Sequence, residues 1–373
     1  VNAPAGVTSA GMSSLGVAII GYGLAGAVFH APLVAAEPRL RLAAVVTGSA
    51  QRAEQARQEY PGVRVLPDTD SLFADMSGID LVVVAAPNRV HAELARRALA
   101  AGAAVVVDKP FAVTAAEAED LLHYARGAGR VLTVFQNRRW DGDFRTVRRL
   151  VAEDMLGPVR RFESRFERWR PVPKGGWREL GGPADAAGIL YDLGSHLVDQ
   201  ALTLFGPAAS VYCELARRRS GVSTDDDMFL ALTHTGGVRS HLWASAVAPL
   251  LGPRFRVLGD RAGYEVHGLD PQEAALRAGR RPGDGTPWAE VGEADSGLLG
   301  AGDDPAPYPT LPGDYPAFYA ATAAAVLDGA PVPVDPTDAL AGLRVLEAAR
   351  ESAAKGGVVS LEGASGSANP GRW

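Results

Sequence analysis

The order of apolar and polar residues splits the chain into two regimes. In the first, short runs that are almost wholly apolar alternate with longer stretches of helical period. The runs fall at 17–20 (VAII), 40–47 (LRLAAVVT), 63–66, 81–86 (LVVVAA), 105–107 and 131–136. Between them, helices are predicted at 32–36, 51–60, 91–101 before Gly102, and from Thr114 to about Arg126, before Gly127. Thr114 and Glu117 have the spacing of a capping box. Strands with no polar face, separated by helices, predict a parallel sheet covered on both sides.

After Arg138 the period changes to two. One helix, 144–154, leads into alternating strands at 161–169 (RFESRFERW), 210–216, 228–235, 238–247, 255–258 and 264–267, with Gly236-Gly237 as a hairpin turn. Alternation leaves one face of an antiparallel sheet open. Its outward positions include Arg239, His241 and Trp243, and an exposed face bearing a tryptophan predicts a homodimer or homotetramer. Residues 279–313, rich in Gly, Pro and Asp, read as a long loop, followed by helices at 315–327 and 336–355. The expected class is α/β: a doubly wound parallel sheet at 15–137, then an α+β domain with a large, open, mostly antiparallel sheet at 138–362. A disordered leader (1–14) and a flexible tail (363–373) flank them.

Composition narrows the functions. The chain has 373 residues, 47% of them apolar and 21% charged, with a formal net charge of -6. That balance argues against a dedicated binder of nucleic acid or anionic membranes. The one cysteine, Cys213, lies in a predicted strand and reads as a buried, inert thiol. Residues 1–14 lack the basic and apolar regions of a signal peptide, and no apolar run reaches the ~18 residues of a membrane span. The cytoplasm is therefore the expected location. Scattered histidines without a paired spacing argue against a metal site.

The first run ends in a G-x-G-x-x-G turn, Gly21, Gly23 and Gly26, opening a helix. The first glycine permits the turn, the second admits a pyrophosphate to bare backbone, and the third lets helix and strand pack closely. Free N–H groups at the helix start attract the anion. The expected dinucleotide contacts here are Gly21, Gly23, Leu24, Ala25 and Gly26. After the second strand, where an NAD-selective fold places Asp or Glu, the chain has Thr47-Gly48-Ser49 and then Arg52. No acid repels a 2′-phosphate there, so Ser49 and Arg52 favour NADP, with NAD kept open; Arg52 also reads as a solvated helix residue. Pro87 and Asn88 end the fourth strand. Lys109, in D-K-P, ends the fifth, at the sheet edge where such folds bind ligands. His91 is either a helix-start residue or a cofactor contact. In 189–205 (ILYDLGSHLVDQALTLF), Asp192, His196 and Asp199 fall on one helical face. They are either a solvated cluster or an acid–base pair in which the carboxylate orients the imidazole and raises its pKa. Gly194 inside that helix signals a close neighbour.

These motifs (GYGLAG, AAPNRVHAE at 85–93, DKP at 108–110 and GILYDLGSHLVDQ at 188–200) resemble the Gfo/Idh/MocA oxidoreductase family, which usually has E-K-P where this chain has Asp108. The resemblance implies a Rossmann domain and hydride transfer between a nicotinamide and an alcohol or ketone. It implies that Lys109 holds the reacting oxygen, His196 is the proton acceptor or donor, Asp192 positions both, and Pro87, Asn88 and His91 border the nicotinamide. QNRRWDGDF, RWRP, WRE and GLDPQEAALRAG look like the NADP-dependent scyllo-inositol dehydrogenase group within it. That likeness implies a polyol, cyclitol or sugar substrate, with Arg138, Arg139, Trp177 and Arg178 lining its pocket; Trp177 also reads as a residue packed under a loop. Two alternatives stay open: a dinucleotide sensor without turnover, and a lyase or glycosidase that begins with the same hydride abstraction.

Overall fold

The computed structural model describes residues 14–285 and 288–361; the expected tail, and the leader apart from Ser14, lie outside them. The first regime forms a sheet of β1 (Leu15–Ile20), β2 (Leu40–Val46), β3 (Arg64–Leu66), β4 (Leu81–Val84), β5 (Ala104–Asp108) and β6 (Leu132–Phe135). All its pairings are parallel, in the order β3-β2-β1-β4-β5-β6. The apolar runs are explained by burial on both faces: Val105, Val106 and Val107 have no exposed surface, each burial stabilising by roughly 1.5–3 kcal/mol. The order reverses between β1 and β4, and the crevice at the carboxyl ends of these strands is where such sheets take ligands. Gly127 does not stop its helix, which runs Ala115–Ala128 to Gly129, a left-handed cap at φ 61°. A short helix, Thr69–Ala74, capped by Asp68, was not legible in the polar stretch that encodes it.

The second sheet has nine strands: β7 (Val159–Glu167), β8 (Ala208–Ala216), β9 (Asp227–His234), β10 (Arg239–Ser245), β11 (Phe255–Gly259), β12 (Gly263–Val266), β13 (Gly297–Gly300), β14 (Ala306–Tyr308) and β15 (Val359–Ser360). Its order is β14-β13-β12-β11-β7-β10-β9-β8-β15, antiparallel except where β7 meets β10. The expected loop at 279–313 thus contains two strands. They are three or four residues long and rich in glycine and proline, so pairing of β13 with β12 and of β14 with β13, not local propensity, makes them strands. Pro307 is tolerated because β14 is an edge. Helices Ser195–Phe205 and Pro336–Lys355 cover the inner face. The outer face carries Phe229, His241 and Trp243, with the Arg165 guanidinium 4.0 Å above the Trp243 ring. No helix among the described residues is long and apolar enough to cross a membrane.

Candidate active site

The three glycines of the first turn are required for three different reasons. Gly21 has φ 96°, and a Cβ there would lie 2.6 Å from the Ala85 carbonyl oxygen. A Cβ on Gly26 would lie 2.0 Å from the Gly21 carbonyl oxygen, so the helix that begins here packs directly on the turn. Gly23 is different: its Cβ direction meets only the Arg52 guanidinium, 3.7 Å away. The open side of the turn is where a pyrophosphate needs bare backbone, so the residues present fit a dinucleotide. Ser49 caps the helix Ala50–Glu59, its hydroxyl oxygen accepting from the Arg52 N–H, while the exposed Arg52 side chain reaches back over the turn.

The loops after β4 and β5 are fastened to each other and to the second domain. Both His91 ring nitrogens lie 2.8 Å from carbonyl oxygens, those of Pro110 and Ala86. His91 therefore opens its helix and holds two loops, and it is not among the residues that line the cavity between the domains. Asn88 donates to the carbonyls of Asp185 and Ala186, both at 3.2 Å. Pro87 precedes the short turn Asn88–Val90. The Lys109–Pro110 bond is cis.

A cavity of about 560 Å³ lies between the two sheets. Leu24, Ala25 and Phe29 line it from the glycine turn, Lys109 and Arg138 from the ends of β5 and β6, and Trp177, Arg178, Asp192 and His196 from the second domain. Lys109 and His196, far apart in sequence, thus line the same cavity. Lys109 Nζ donates to the Asp192 carboxylate at 3.1 Å and to the Asp192 carbonyl, and Arg178 Nε lies 3.3 Å from the same carboxylate. Burial works against the charge on Asp192, but Lys109 and Arg178 outweigh it and hold the carboxyl at about 2.

This pairing corrects the expected Asp–His couple. Asp192 lies in a π-helical turn, Leu190–Gly194, just before the α-helix that carries His196. The wider turn shifts the phase, so residues four apart are not stacked as on a regular helix. His196 Nδ1 is buried without a partner, and the imidazole pKa is pushed well below its ordinary value rather than raised. Burial is the main cause, followed by the cations Lys109, Arg138 and Arg254. Gly194 does have its close neighbour: a Cβ there would lie 3.0 Å from Met228 Sδ.

Arg138 is buried, donating to the Tyr315 hydroxyl at 3.0 Å and to Glu273, and reaches the cavity wall. Arg139, expected beside it, does not. It grips Asp199 with two N–H groups, at 2.7 and 2.8 Å, and Asp338 with a third, at 3.0 Å. Both arginines sit in the 3₁₀ turn Asn137–Trp140, where successive side chains diverge by about 120°. Only one of them can face the cavity, and Asp199 is spent on the other. Glu273, held at about 2 by Arg138 and Arg277 despite burial, lines the cavity together with Arg168. Sequence reading missed both. Both lie in stretches already noted for their likeness, RWRP and GLDPQEAALRAG; the alternation of RFERW would have placed Arg168 in the cavity, whereas no period places Glu273 there.

Residues 15–136 match the family model described as oxidoreductase family, NAD-binding Rossmann fold, and residues 148–361 match that described as oxidoreductase family, C-terminal alpha/beta domain. A glycine turn on a parallel sheet, facing a lysine and a histidine across a cleft closed by a second sheet, is the arrangement of a dinucleotide-dependent oxidoreductase. The chain belongs to the Gfo/Idh/MocA oxidoreductase family. It is 41% identical over 342 residues to the uncharacterized oxidoreductase YdgJ of Escherichia coli K12, spanning 90% of this chain and 96% of that one. It is 34% identical over 354 residues to the scyllo-inositol 2-dehydrogenase (NADP(+)) IolW of Bacillus subtilis, spanning 94% and 97%. Among solved structures, the putative oxidoreductase yvaA of Bacillus subtilis superposes with a TM-score of 0.87 at 34% identity, covering 94% of this chain and 99% of that one.

Proposed function

We propose that this protein is an NADP-dependent dehydrogenase that interconverts a secondary alcohol and a ketone on a cyclitol, sugar or sugar derivative. The observation that carries the reading is the convergence of Lys109 and His196 on one cavity beside the glycine turn. The relative named as an NADP-dependent scyllo-inositol dehydrogenase supports the substrate class and the cofactor.

A nicotinamide dinucleotide held at the glycine turn would supply or accept the hydride. Lys109 Nζ, already paired to Asp192, donates to the reacting oxygen and stabilises negative charge developing there. His196 takes the hydroxyl proton during oxidation. Its Nδ1 is sealed in protein, which leaves Nε2 for that proton. Asp192 fixes the ammonium, and Gly23 with its neighbours gives the pyrophosphate bare backbone.

The test is a panel of inositols and sugars assayed at 340 nm with each cofactor, on the native protein and Arg52→Ala. Turnover with NADP is expected, and Arg52→Ala raises KM for NADP by about tenfold with little change for NAD, the size of a lost charge-assisted hydrogen bond. Equal use of both cofactors by the native protein would refute the NADP assignment.

The pH dependence follows from the sign of the His196 shift. The base works unprotonated, so oxidative kcat/KM falls as pH drops through its pKa. Because that pKa lies well below the ordinary 6.5, the rate stays level through pH 6.5 and falls only in more acid solution. An acid limb centred at or above 6.5 would count against His196 as this base. The outer face around Trp243 is the proposed contact between subunits; light scattering at micromolar concentration gives a dimer or tetramer, and a monomeric mass sinks that assignment.

A further inference from the structure

The alternation of β7 continues past its last residue. Phe162, Ser164 and Phe166 face inward, and the Phe166 ring lies 6.3 Å from that of His196. The same period of two carries Arg168 and Arg170 to that side. Their backbones stay extended beside the end of β10: the Arg168 N–H donates to the Ser245 carbonyl at 2.8 Å, and the Arg170 N–H to the Ala246 carbonyl at 2.7 Å. Trp169, between them, points away and is 57% exposed. Arg168, Arg170 and Lys174 all line the cavity.

Seven basic and four acidic side chains line this cavity, and each acid already has a partner. Asp192 meets Lys109 and Arg178. Glu273 meets Arg138 and Arg277. Glu179 meets Arg219 and the N–H groups of Lys174 and Gly175. Asp108 accepts from the Lys109 N–H and faces His30. Among the described residues, the charged ends of Arg168, Arg170 and Lys174 have no carboxylate at ion-pair distance. Burial, and then the adjacent Arg170, reduce the basicity of Arg168, against the opposing pull of Asp192 and Glu273 from beyond ion-pair distance. Two guanidiniums held together in this way are relieved by an anion between them, and their planar forks match an oxyanion. On the proposed reading the cofactor's own phosphates would be held on the other domain, at Gly23 and Arg52. Arg170 and Lys174 are exposed and hydrated; a neutral polyol seated over them and Arg168 would displace that water without supplying a countercharge.

Resting on the dehydrogenase reading above, we infer that the substrate is an anionic sugar or cyclitol. Its carboxylate or phosphate, away from the reacting carbon, is held by Arg168, Arg170 and Lys174. The test is steady-state oxidation with NADP of glucose, glucuronate and glucose 6-phosphate, and of myo-inositol and its monophosphate. At least one anionic member should exceed its neutral parent in kcat/KM by about tenfold or more, the scale of a hydrogen bond to a charged group. The uronate and phosphate arms tell which oxyanion is preferred. In Arg168→Met and Arg170→Gln the ratio of anionic to neutral kcat/KM falls toward one. Arg170 is exposed, so its variant reports on the subsite without a loss of folding. Neutral parents turned over at a ratio near one would overturn this inference and leave the dehydrogenase reading standing. Variants that raise only KM for NADP would assign these cations to the cofactor and overturn it too. Turnover of no member of the panel would overturn both.

Discussion

Turnover in His196→Ala is expected to fall by about 10²- to 10⁴-fold, the range for losing a positioned acid–base group, while NADPH still binds. The imidazole sits on a second-domain helix and makes no side-chain hydrogen bond among the described residues, so its removal leaves the glycine turn as it is. Lys109→Met should lose turnover on a similar scale and should carry a second signature. Lys109 is the chief charge lowering the Asp192 carboxyl and, after burial, the chief cause of the low His196 pKa. Without it both pKa values rise, and the acid limb of the residual oxidative activity moves to higher pH. Stopped-flow or steady-state rates together with NADPH fluorescence titration separate the two roles. Near-native turnover in either variant would refute the assignment.

The second large effect separates two glycines three residues apart. Gly26→Ala places a Cβ 2.0 Å from the Gly21 carbonyl oxygen, with backbone on both sides of the clash. The helix must move off β1, at a cost of about 1–3 kcal/mol as in other overpacked cores, and denaturation shows it as lost stability. Gly23→Ala meets only the end of the flexible Arg52 side chain, so stability is retained. What it loses is access, because the methyl group would occupy the place proposed for the pyrophosphate. NADPH affinity falls by about tenfold or more, the worth of one charge-assisted contact. A Gly23→Ala protein that binds NADPH as tightly as the native chain would show that the cofactor does not sit on this turn.

The elements that were legible share a local cause. The runs at 17–20 and 81–86 could only be strands buried on both faces, and Gly21 could only be a turn, because each constraint acts within a few residues. The spacing of Asp192 and His196 correctly marked a stretch that reaches the cavity. It misled about their partnership, because a π turn is invisible in a pattern that assumes 3.6 residues per turn. Arg138 and Arg139 were equivalent on the page, and the 3₁₀ turn that sends them in different directions is decided by what packs around it. Strand β13 exists because β12 offers it an edge, and β14 because β13 does in turn, which no window of their own residues records.

The sequence alone determined the parallel sheet, the glycine turn after its first strand, the open second sheet and the lysine at the strand end, since backbone sterics and hydrophobic period act on neighbours in the chain. Only the tertiary structure decided the charge partners. Lys109 meets an aspartate 83 residues away, Arg139 takes Asp199 out of the cavity, and His196 is left neutral among cations. Electrostatic energy depends on distance through space and on burial, and neither is written in the order of residues until the two sheets close on one another.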